Sequence, residues 1–237
     1  MIEIRGVRKT YGEHTAVDGL NLEVRDGEIF GFIGPNGAGK TTTIKMTVGL
    51  LRPEAGAVLV NGIDVAADPL RAKMEMGYVP DTPDVYEKLT GMQFINFMSD
   101  AYQVPTSLRA DRVRELAGAF ELTDALGDLI ESYSHGMRQK AVLIAALVHQ
   151  PRVWVLDEPL VGLDPKAAFT LKAMMRRHAD GGNSVFFSTH ILEVAEKLCD
   201  RVGIIVKGKL VACGTLDELR DGASETLESF FLDLIEP

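Results

Sequence analysis

Long apolar segments and cysteines are both scarce in this sequence of 237 residues. No apolar run approaches the roughly 18 residues that a membrane-spanning helix requires. The first nine residues lack the apolar core of a secretion signal. The two cysteines, Cys199 and Cys213, stand in no metal-ligand spacing, which argues against structural zinc and a disulfide framework. We therefore expect a cytoplasmic protein that reaches a membrane only through a partner.

Basic residues are also in deficit, because the net charge is −9. Surfaces that bind nucleic acid are usually basic, so the sequence predicts no nucleic-acid partner. The hydrophobic fraction of 46% and the charged fraction of 25% are ordinary for a globular protein. A chain of this length can bury one substantial core with a smaller subdomain.

A glycine-rich turn follows the apolar stretch that begins at Ile29. Residues Gly34 to Thr41 fit the P-loop pattern of a glycine, four residues, and Gly-Lys-Thr. Glycines let successive backbone N–H groups turn inward around phosphate oxygens, and the N-terminus of the following helix favours negative charge. Lys40 can reach the β- and γ-phosphates, and the Thr41 hydroxyl can ligate Mg²⁺. The predicted nucleotide-binding residues here are Gly34, Pro35, Asn36, Gly37, Ala38, Gly39, Lys40, Thr41 and Thr42.

Two adjacent carboxylates end a second apolar strand, Val153 to Glu158. Phosphoryl transfer needs a metal near the β- and γ-phosphates and a group that orients or deprotonates water. Asp157 suits the metal role together with Thr41, so these residues predict a bound nucleoside triphosphate and Mg²⁺. The alternative, that both carboxylates merely cap the next helix, is weakened by the P-loop upstream.

Several stretches around these motifs resemble the ATP-binding subunits of ABC transporters. They run in the family's order: Lys9-Thr-Tyr11-Gly, the P-loop, Ser134-His-Gly136-Met-Arg-Gln-Lys, the Asp157-Glu158 pair, Val161-Gly-Leu-Asp164-Pro, and a strand ending at Thr189-His190. The resemblance covers about residues 2 to 214. It implies an α/β fold with a RecA-like P-loop core, an antiparallel β subdomain and an α-helical insert.

The resemblance also implies roles for single residues. Tyr11 would stack on adenine and Val17 would touch the base or ribose. Glu158 would be the general base, and His190 would hydrogen-bond the γ-phosphate, so that Lys40, Glu158 and His190 form the catalytic set. Ser134 and Gly136 would contact the nucleotide bound to a second subunit.

Several positions depart from the family pattern. The family usually has glutamine where this chain has Asp81, which could either hold a metal-bound water or face solvent as a loop aspartate. His135 and Met137 replace a glycine and a glutamine of the signature, which leaves the strength of dimer closure open. Together with Val161, these departures are similar to bacterial export-type systems.

The remaining pattern predicts one ATPase domain over residues 1–237, with a helical subdomain at about 86–150 and a helical extension at about 215–237. Thr90 is expected to cap a helix whose side chains Phe94, Ile95, Phe97 and Met98 pack into a core. Asn61-Gly62 predicts a hairpin turn. The C-terminal stripe of Leu227, Phe230, Phe231 and Leu234 predicts core or partner packing.

The sequence therefore predicts the ATP-binding subunit of an exporter, working as a dimer with separate integral membrane permease subunits on the cytoplasmic face of the cell membrane. One rival is a soluble ABC-type ATPase that acts on nucleic acid or ribosomes. Such proteins usually carry two cassettes or a coiled-coil insertion, and neither is present in this sequence. A second rival, a non-catalytic nucleotide-binding regulator, conflicts with the presence of Lys40, Asp157, Glu158 and His190.

Overall fold

The computed structural model describes residues 1–219 and 227–235. Its strands are β1 (Ile2–Tyr11), β2 (His14–Val24), β3 (Ile29–Ile33), β4 (Ala55–Val60), β5 (Ile63–Asp64), β6 (Met76–Val79), β7 (Val153–Asp157), β8 (Ser184–Thr189), β9 (Arg201–Val206) and β10 (Lys209–Gly214). Its α-helices are α1 (Lys40–Thr47), α2 (Pro69–Met74), α3 (Gly91–Ala101), α4 (Thr106–Ala119), α5 (His135–Leu147), α6 (Pro165–Asp180), α7 (Leu192–Leu198), α8 (Leu216–Leu219) and α9 (Leu227–Ile235). Two 3₁₀ helices span Thr123–Ala125 and Ile130–Ser132.

The larger sheet has the order β10-β9-β3-β8-β7-β6. Strands β9, β3, β8, β7 and β6 are parallel, and β10 pairs antiparallel with β9. Every residue of β3, β7 and β8 is buried, as expected for central strands covered on both faces. Ile33 pairs with Thr189, and Asp157 pairs with Ser188. The carboxyl ends of these strands therefore meet at one edge of the sheet.

The smaller sheet is antiparallel, in the order β2-β1-β4-β5. The predicted turn between β4 and β5 is confirmed, since Asn61 and Gly62 both have positive φ and Val60 pairs with Ile63. One apolar cluster joins this sheet to α1 and the parallel sheet, and its buried members include Val7, Leu20 and Phe32. The expected α/β fold with an antiparallel β layer is thus confirmed.

Helices α3, α4 and α5 lie between β6 and β7 in the chain. The predicted cap is confirmed by a capping box, in which Thr90 Oγ1 accepts from the Gln93 N–H at 3.1 Å. Phe94 and Ile95 are buried, and Met98 packs against the same core. The core prediction is wrong for Phe97, which is 49% exposed and meets Tyr86 edge-on with ring centroids 5.5 Å apart.

The C-terminal stripe packs as predicted. Leu227 and Phe231 are buried, and Phe230 and Leu234 pack against the same cluster beside Ile33. The predicted helical extension at about 215–237 begins with α8, and residues 220–226 lie outside the described residues. None of the described helices combines the length and apolar character needed to cross a bilayer.

Two short helices, α2 and α7, were not predicted. The signal for α2 was present, because Asp68 accepts from the Arg71 N–H at 3.2 Å and Pro69 takes the first helical position. Helix α7 has no side chain capping its N-terminus, so the local sequence gives no comparable signal.

Candidate nucleotide-binding site

The loop between β3 and α1 curls tightly over the edge of the sheet. A Cβ on Gly34 would lie 2.3 Å from the Ile205 carbonyl oxygen, and one on Gly39 would lie 2.4 Å from the Ala16 carbonyl oxygen. Gly39 also has φ of 110°, a conformation that side chains disfavour. Only glycine fits these two positions, which explains why the loop needs the residue types that the pattern specifies.

Lys40, the first residue of α1, folds back over this loop. Its Nζ donates to the Gly34 carbonyl at 2.7 Å and to the Pro35 carbonyl at 3.3 Å, and lies 3.9 Å from Glu158 Oε1. Burial lowers the pKa of the Lys40 ammonium, and the nearby carboxylates of Glu158 and Asp157 oppose that shift. The loop carbonyls therefore hold the ammonium in place at the mouth of the loop.

Asp157 ends β7 and is fully buried. The Ser188 hydroxyl, on the adjacent strand, donates to Asp157 Oδ1 at 2.5 Å and accepts from the Glu158 N–H at 3.0 Å. Burial raises the pKa of the Asp157 carboxyl, hydrogen bonds from Ser188 and Thr41 oppose the rise, and the charges of Asp81 and Glu158 add to it. Ser188 thus fixes both adjacent carboxylate residues, a role that the sequence analysis missed.

Glu158 follows Asp157 in a left-handed conformation, with φ of 46°. This conformation is costly for a residue with a side chain and is concentrated at functional sites. His190 Nδ1, just beyond β8, lies 3.0 Å from Glu158 Oε1. Because a carboxylate can only accept, Nδ1 carries the proton in this arrangement. The fold therefore brings together Lys40, Glu158 and His190, the three predicted catalytic residues.

A cavity of about 320 Å³ opens in front of these groups. It is lined by Tyr11, His14, Ala16, Asn36, Gly37, Gly39, Lys40, Thr41, Thr42, Asp81 and Glu158. Tyr11 is 50% exposed at the end of the β1–β2 hairpin, with Lys9 Nζ 5.8 Å from its ring centroid. Asp81 lines this cavity, which favours the interpretation that its carboxylate holds a metal-bound water over that of a loop aspartate facing solvent. His14 and Ala16 were not predicted as lining residues.

The structure does not bring Val17 to this cavity. Its side chain is fully buried and packs beneath Gly39, where a Cβ would meet it at 3.4 Å. The neighbouring residue Ala16 lines the cavity in its place. The predicted contact of Val17 with the base is therefore wrong for this structure. The pairing of β1 with β2 is irregular here, since Thr10 pairs with Thr15 and Lys9 with Val17, which leaves Ala16 as an extra residue on its strand.

Ser134 and Gly136 lie at the start of α5 and do not line the cavity either. Ser134 caps the helix by accepting from the Met137 N–H at 3.3 Å. A Cβ on Gly136 would lie 2.8 Å from the Gly162 carbonyl oxygen, so the two segments approach closely. Lys140 Nζ, one turn further, contacts Asp164 Oδ2 at 2.6 Å. Within one chain the signature segment is therefore packed against residues 161–164 and separate from the P-loop cavity.

The residues that would hold Mg²⁺ fit a hard cation. Asp157 Oδ2 is buried without a hydrogen-bond partner among the described residues, and the Thr41 hydroxyl lies beside the same carboxyl group. Oxygen donors of this kind, completed by phosphate and water, are the ligands that Mg²⁺ prefers. An unpartnered buried carboxylate oxygen is costly, and a metal ion would remove that cost.

The family described as ABC transporter matches residues 17–161 of the chain. The chain is 35% identical to the linearmycin resistance ATP-binding protein LnrL of Bacillus subtilis, an alignment that covers 92% of this chain and 70% of that protein. A solved ATP-binding subunit of an ABC transporter is 32% identical, with a TM-score of 0.95 and full coverage of both chains.

A second solved structure shares the fold at lower identity. It is a dimeric ATP-binding cassette in a post-hydrolysis state with bound ADP and phosphate, and it is 23% identical with a TM-score of 0.83. The alignment covers 91% of this chain and 99% of that one. At this identity the likeness supports the fold alone.

Proposed function

This chain belongs to the ABC transporter family of ATP-binding subunits, and on that premise we propose that it hydrolyses Mg·ATP as a head-to-tail dimer and drives transport through separate membrane subunits. One observation carries the proposal. Glu158 Oε1 lies 3.0 Å from His190 Nδ1 and 3.9 Å from Lys40 Nζ at the mouth of the P-loop. A base, a histidine that orients it and a cation for phosphate thus converge on one cavity.

Binding begins with the phosphates. Backbone N–H groups of the loop 34–42, which all its residues except Pro35 possess, surround the β- and γ-phosphate oxygens, and the N-terminus of α1 adds its partial positive charge. Lys40 exchanges its loop carbonyls for phosphate oxygens, which are stronger acceptors because they carry charge. Tyr11 stacks on the adenine ring from the exposed end of the β1–β2 hairpin.

Thr41 and Asp157 would hold Mg²⁺, and the metal would neutralise charge that develops on the phosphates. Ser188 holds the Asp157 carboxyl in position through its 2.5 Å hydrogen bond. Asp81, which lines the same cavity, stays available to orient water.

Hydrolysis then follows an in-line displacement. Glu158 accepts a proton from the attacking water while the bond from water oxygen to the γ-phosphorus forms. The bond from the γ-phosphorus to the bridging oxygen breaks, and ADP leaves. His190 positions Glu158 through its Nδ1–H and, when Nε2 also carries a proton, donates from Nε2 to the γ-phosphate.

The second half of the site comes from another copy or a homologous subunit. Ser134 and Gly136 do not line the P-loop cavity of their own chain. Their place at the N-terminus of a 13-residue helix suits them to contact an anion supplied from outside. The 161–164 segment, packed on Gly136, would link the two sites.

The proposed partners are membrane subunits. The proposed location of this chain is the cytoplasmic face of the membrane. The half-exposed Phe97 and Tyr86, at the start of the helical segment 86–150, offer an apolar contact for them. The proposed direction is export, which the name of the relative LnrL, a resistance protein, supports. We also propose that residues 1–237 form one ATPase domain with a helical extension from about 215.

The experiment is Glu158→Gln in the purified chain. The variant should bind ATP, lose at least about 100-fold of its hydrolysis rate because the base is gone, and accumulate an ATP-dependent dimer on size-exclusion chromatography. Asp128→Asn, a change in an exposed carboxylate of the helical segment, is the control and should hydrolyse ATP normally. Undiminished hydrolysis in Glu158→Gln would remove the residue from the base role.

The partner proposal has its own experiment. Gentle detergent extraction of cells followed by mass spectrometry should recover integral membrane proteins with the tagged chain. Ribosomes or DNA without any membrane protein would contradict the transporter proposal and support the rival soluble ATPase.

A further inference from the structure

A second cavity of about 460 Å³ lies at the opposite edge of the parallel sheet from the P-loop. Trp154 near the start of β7 and Asn183 just before β8 form its floor, whereas the nucleotide cavity lies beyond the other ends of these strands. Helices α4 and α6 contribute further walls. The two cavities share no lining residue, so this space has no part in the proposed ATP hydrolysis.

One part of the cavity wall is apolar. Leu116, Leu147, Val148, Met174 and Trp154 contribute to it. The His178 ring stacks on the Trp154 indole with centroids 4.2 Å apart and planes at 19°. His178 Nε2 lies 3.2 Å from the Arg152 carbonyl and donates to it, which fixes the ring in place. The cavity thus combines apolar and polar walls, in a volume typical of small-molecule sites.

The polar groups in the wall are mainly donors. The indole Nε1 of Trp154 is buried without an acceptor among the described residues, and the residue as a whole is only 6% exposed. An indole N–H can only donate, so this group lacks a partner that it would normally have. Arg177 also lines the cavity, and its guanidinium forms no hydrogen bond or ion pair with residues 1–219 or 227–235.

Arg112 brings a second guanidinium to the same wall. It donates from one nitrogen to the Val148 carbonyl at 3.2 Å, which leaves its other donors unused. Glu115 supplies one negative charge to the wall and pairs with neither arginine in the described residues. The side chains of the wall therefore carry one net positive charge and an excess of donors over acceptors.

We propose that this cavity binds a small organic anion, with a carboxylate or phosphate head held by Arg112 and Arg177 and a short apolar body lying against Leu116 and Met174. Charge-assisted hydrogen bonds to guanidinium groups are the strong ones, and carboxylates and phosphates match their geometry. Because α4 lies in the helical segment and α6 packs on the core, the bound anion would link these two parts of the molecule.

Trp154 is the single tryptophan of the chain, so its fluorescence reports this cavity directly. The full chain is titrated with octanoate, with octyl phosphate and with the neutral analogue octanol, in saturating ADP so that the P-loop is occupied. Emission and calorimetric heat are followed together. We expect saturable binding of at least one anion, and octanol should bind at least about tenfold more weakly. Tighter binding of octanoate would assign a carboxylate head, and tighter binding of octyl phosphate a phosphate head.

Arg177→Gln and Arg112→Gln should each weaken binding of the preferred anion by about tenfold or more. Arg114→Gln is the matched control, because Arg114 lies on the same helix as Arg112, pairs with Asp111 and does not line this cavity. It should bind like the parent chain. The Lys40→Ala variant should also retain anion binding even if it no longer binds ATP, which separates this proposal from the proposed ATPase function.

Three results would overturn the proposal. The first is that neither anion produces heat or an emission change. The second is that octanol binds as tightly as the anions. The third is that both Arg177→Gln and Arg112→Gln bind the anion like the parent chain.

Discussion

His190 Nδ1 lies 3.0 Å from Glu158 Oε1, and this contact joins the ends of two neighbouring strands. His190 follows β8 and Glu158 follows β7, which pair in parallel. The contact orients the carboxylate whose backbone is already held in a left-handed conformation. The fold therefore sets the direction in which Glu158 can accept a proton.

The first prediction concerns this contact. His190→Ala should lower the ATP hydrolysis rate by about 100-fold, because the base loses its orientation and the γ-phosphate loses a donor, while ATP binding stays near the parent value. His190→Gln should retain more activity, since its amide can still donate to Glu158. Steady-state hydrolysis and nucleotide titration measure the two effects. Equal rates in His190→Ala and the parent chain would contradict the positioning role.

The second prediction concerns Ser188, which bonds both Asp157 and the Glu158 N–H. Ser188→Ala should destabilise the fold by about 1–3 kcal/mol, because two buried groups lose a partner, and it should also reduce hydrolysis. Ser184→Ala is the matched control: Ser184 is equally buried on the same strand, and it donates to Asp26 at 2.9 Å.

Urea denaturation and ATPase assays separate the two serines. The control should lose stability and keep its hydrolysis rate, because Ser184 lies at the end of β8 away from the nucleotide cavity. Similar hydrolysis in both variants would mean that Ser188 has only a structural role.

The third prediction concerns Tyr11. Tyr11→Ala should weaken ATP binding by roughly 1–3 kcal/mol, the usual contribution of a base stacked on an aromatic ring. Tyr11→Phe should bind ATP like the parent chain, because the stacking face is kept. Inorganic tripolyphosphate, which has no base, should bind the three proteins equally. If Tyr11→Ala weakens tripolyphosphate as strongly as ATP, the loss reflects the loop rather than stacking.

The fourth prediction is a pH effect on stability. His149 stacks on Tyr102 with ring centroids 3.8 Å apart, and burial lowers its pKa from 6.5 to about 4. As the pH falls from 6.5 towards 4, the unfolded chain takes up a proton on this histidine that the folded chain does not, so folding becomes less favourable. Above pH 6.5 this contribution is fully present.

The variant His149→Phe keeps a stacking ring but cannot titrate. Its Tm should fall less than that of the parent chain between pH 7 and pH 4.5. His14→Gln, at an exposed histidine, is the control and should follow the parent chain. Parallel Tm curves for His149→Phe and the parent chain would show that His149 makes no such contribution.

Local signals were enough to predict much of this site. The P-loop and the Asp157-Glu158 pair each depend on a short run of residues at the end of a strand, and the structure brings them together. The role of Ser188 could not be predicted, because it arises from β8 lying beside β7, a matter of strand order. Val17 was assigned to the cavity by resemblance, but Ala16 lines it instead, at a point where the pairing of β1 with β2 is irregular.

In the fold, too, features that depend on neighbouring residues could be predicted, and features that depend on distant elements could not. The cap at Thr90 could be predicted because capping involves residues only three apart. The exposure of Phe97 could not be predicted from the sequence, because its spacing along α3 resembles that of a core residue. Which face of a helix is covered depends on elements far away in the chain.

If two chains complete each ATP site, two variants that are inactive alone should restore activity when they are mixed. Lys40→Ala disables the P-loop of one chain, and Ser134→Glu places a negative charge at the signature helix of another. Each variant alone should be inactive. In an equimolar mixture, half of the dimers pair one of each, and every such dimer contains one intact site.

The mixture should recover about a quarter of the parent ATPase rate per chain, because half of the dimers are mixed and each mixed dimer has one intact site out of two. Recovery should rise with protein concentration, as association requires. A mixture no more active than the sum of the two variants, at a concentration where the parent chain is dimeric and active, would contradict the shared site.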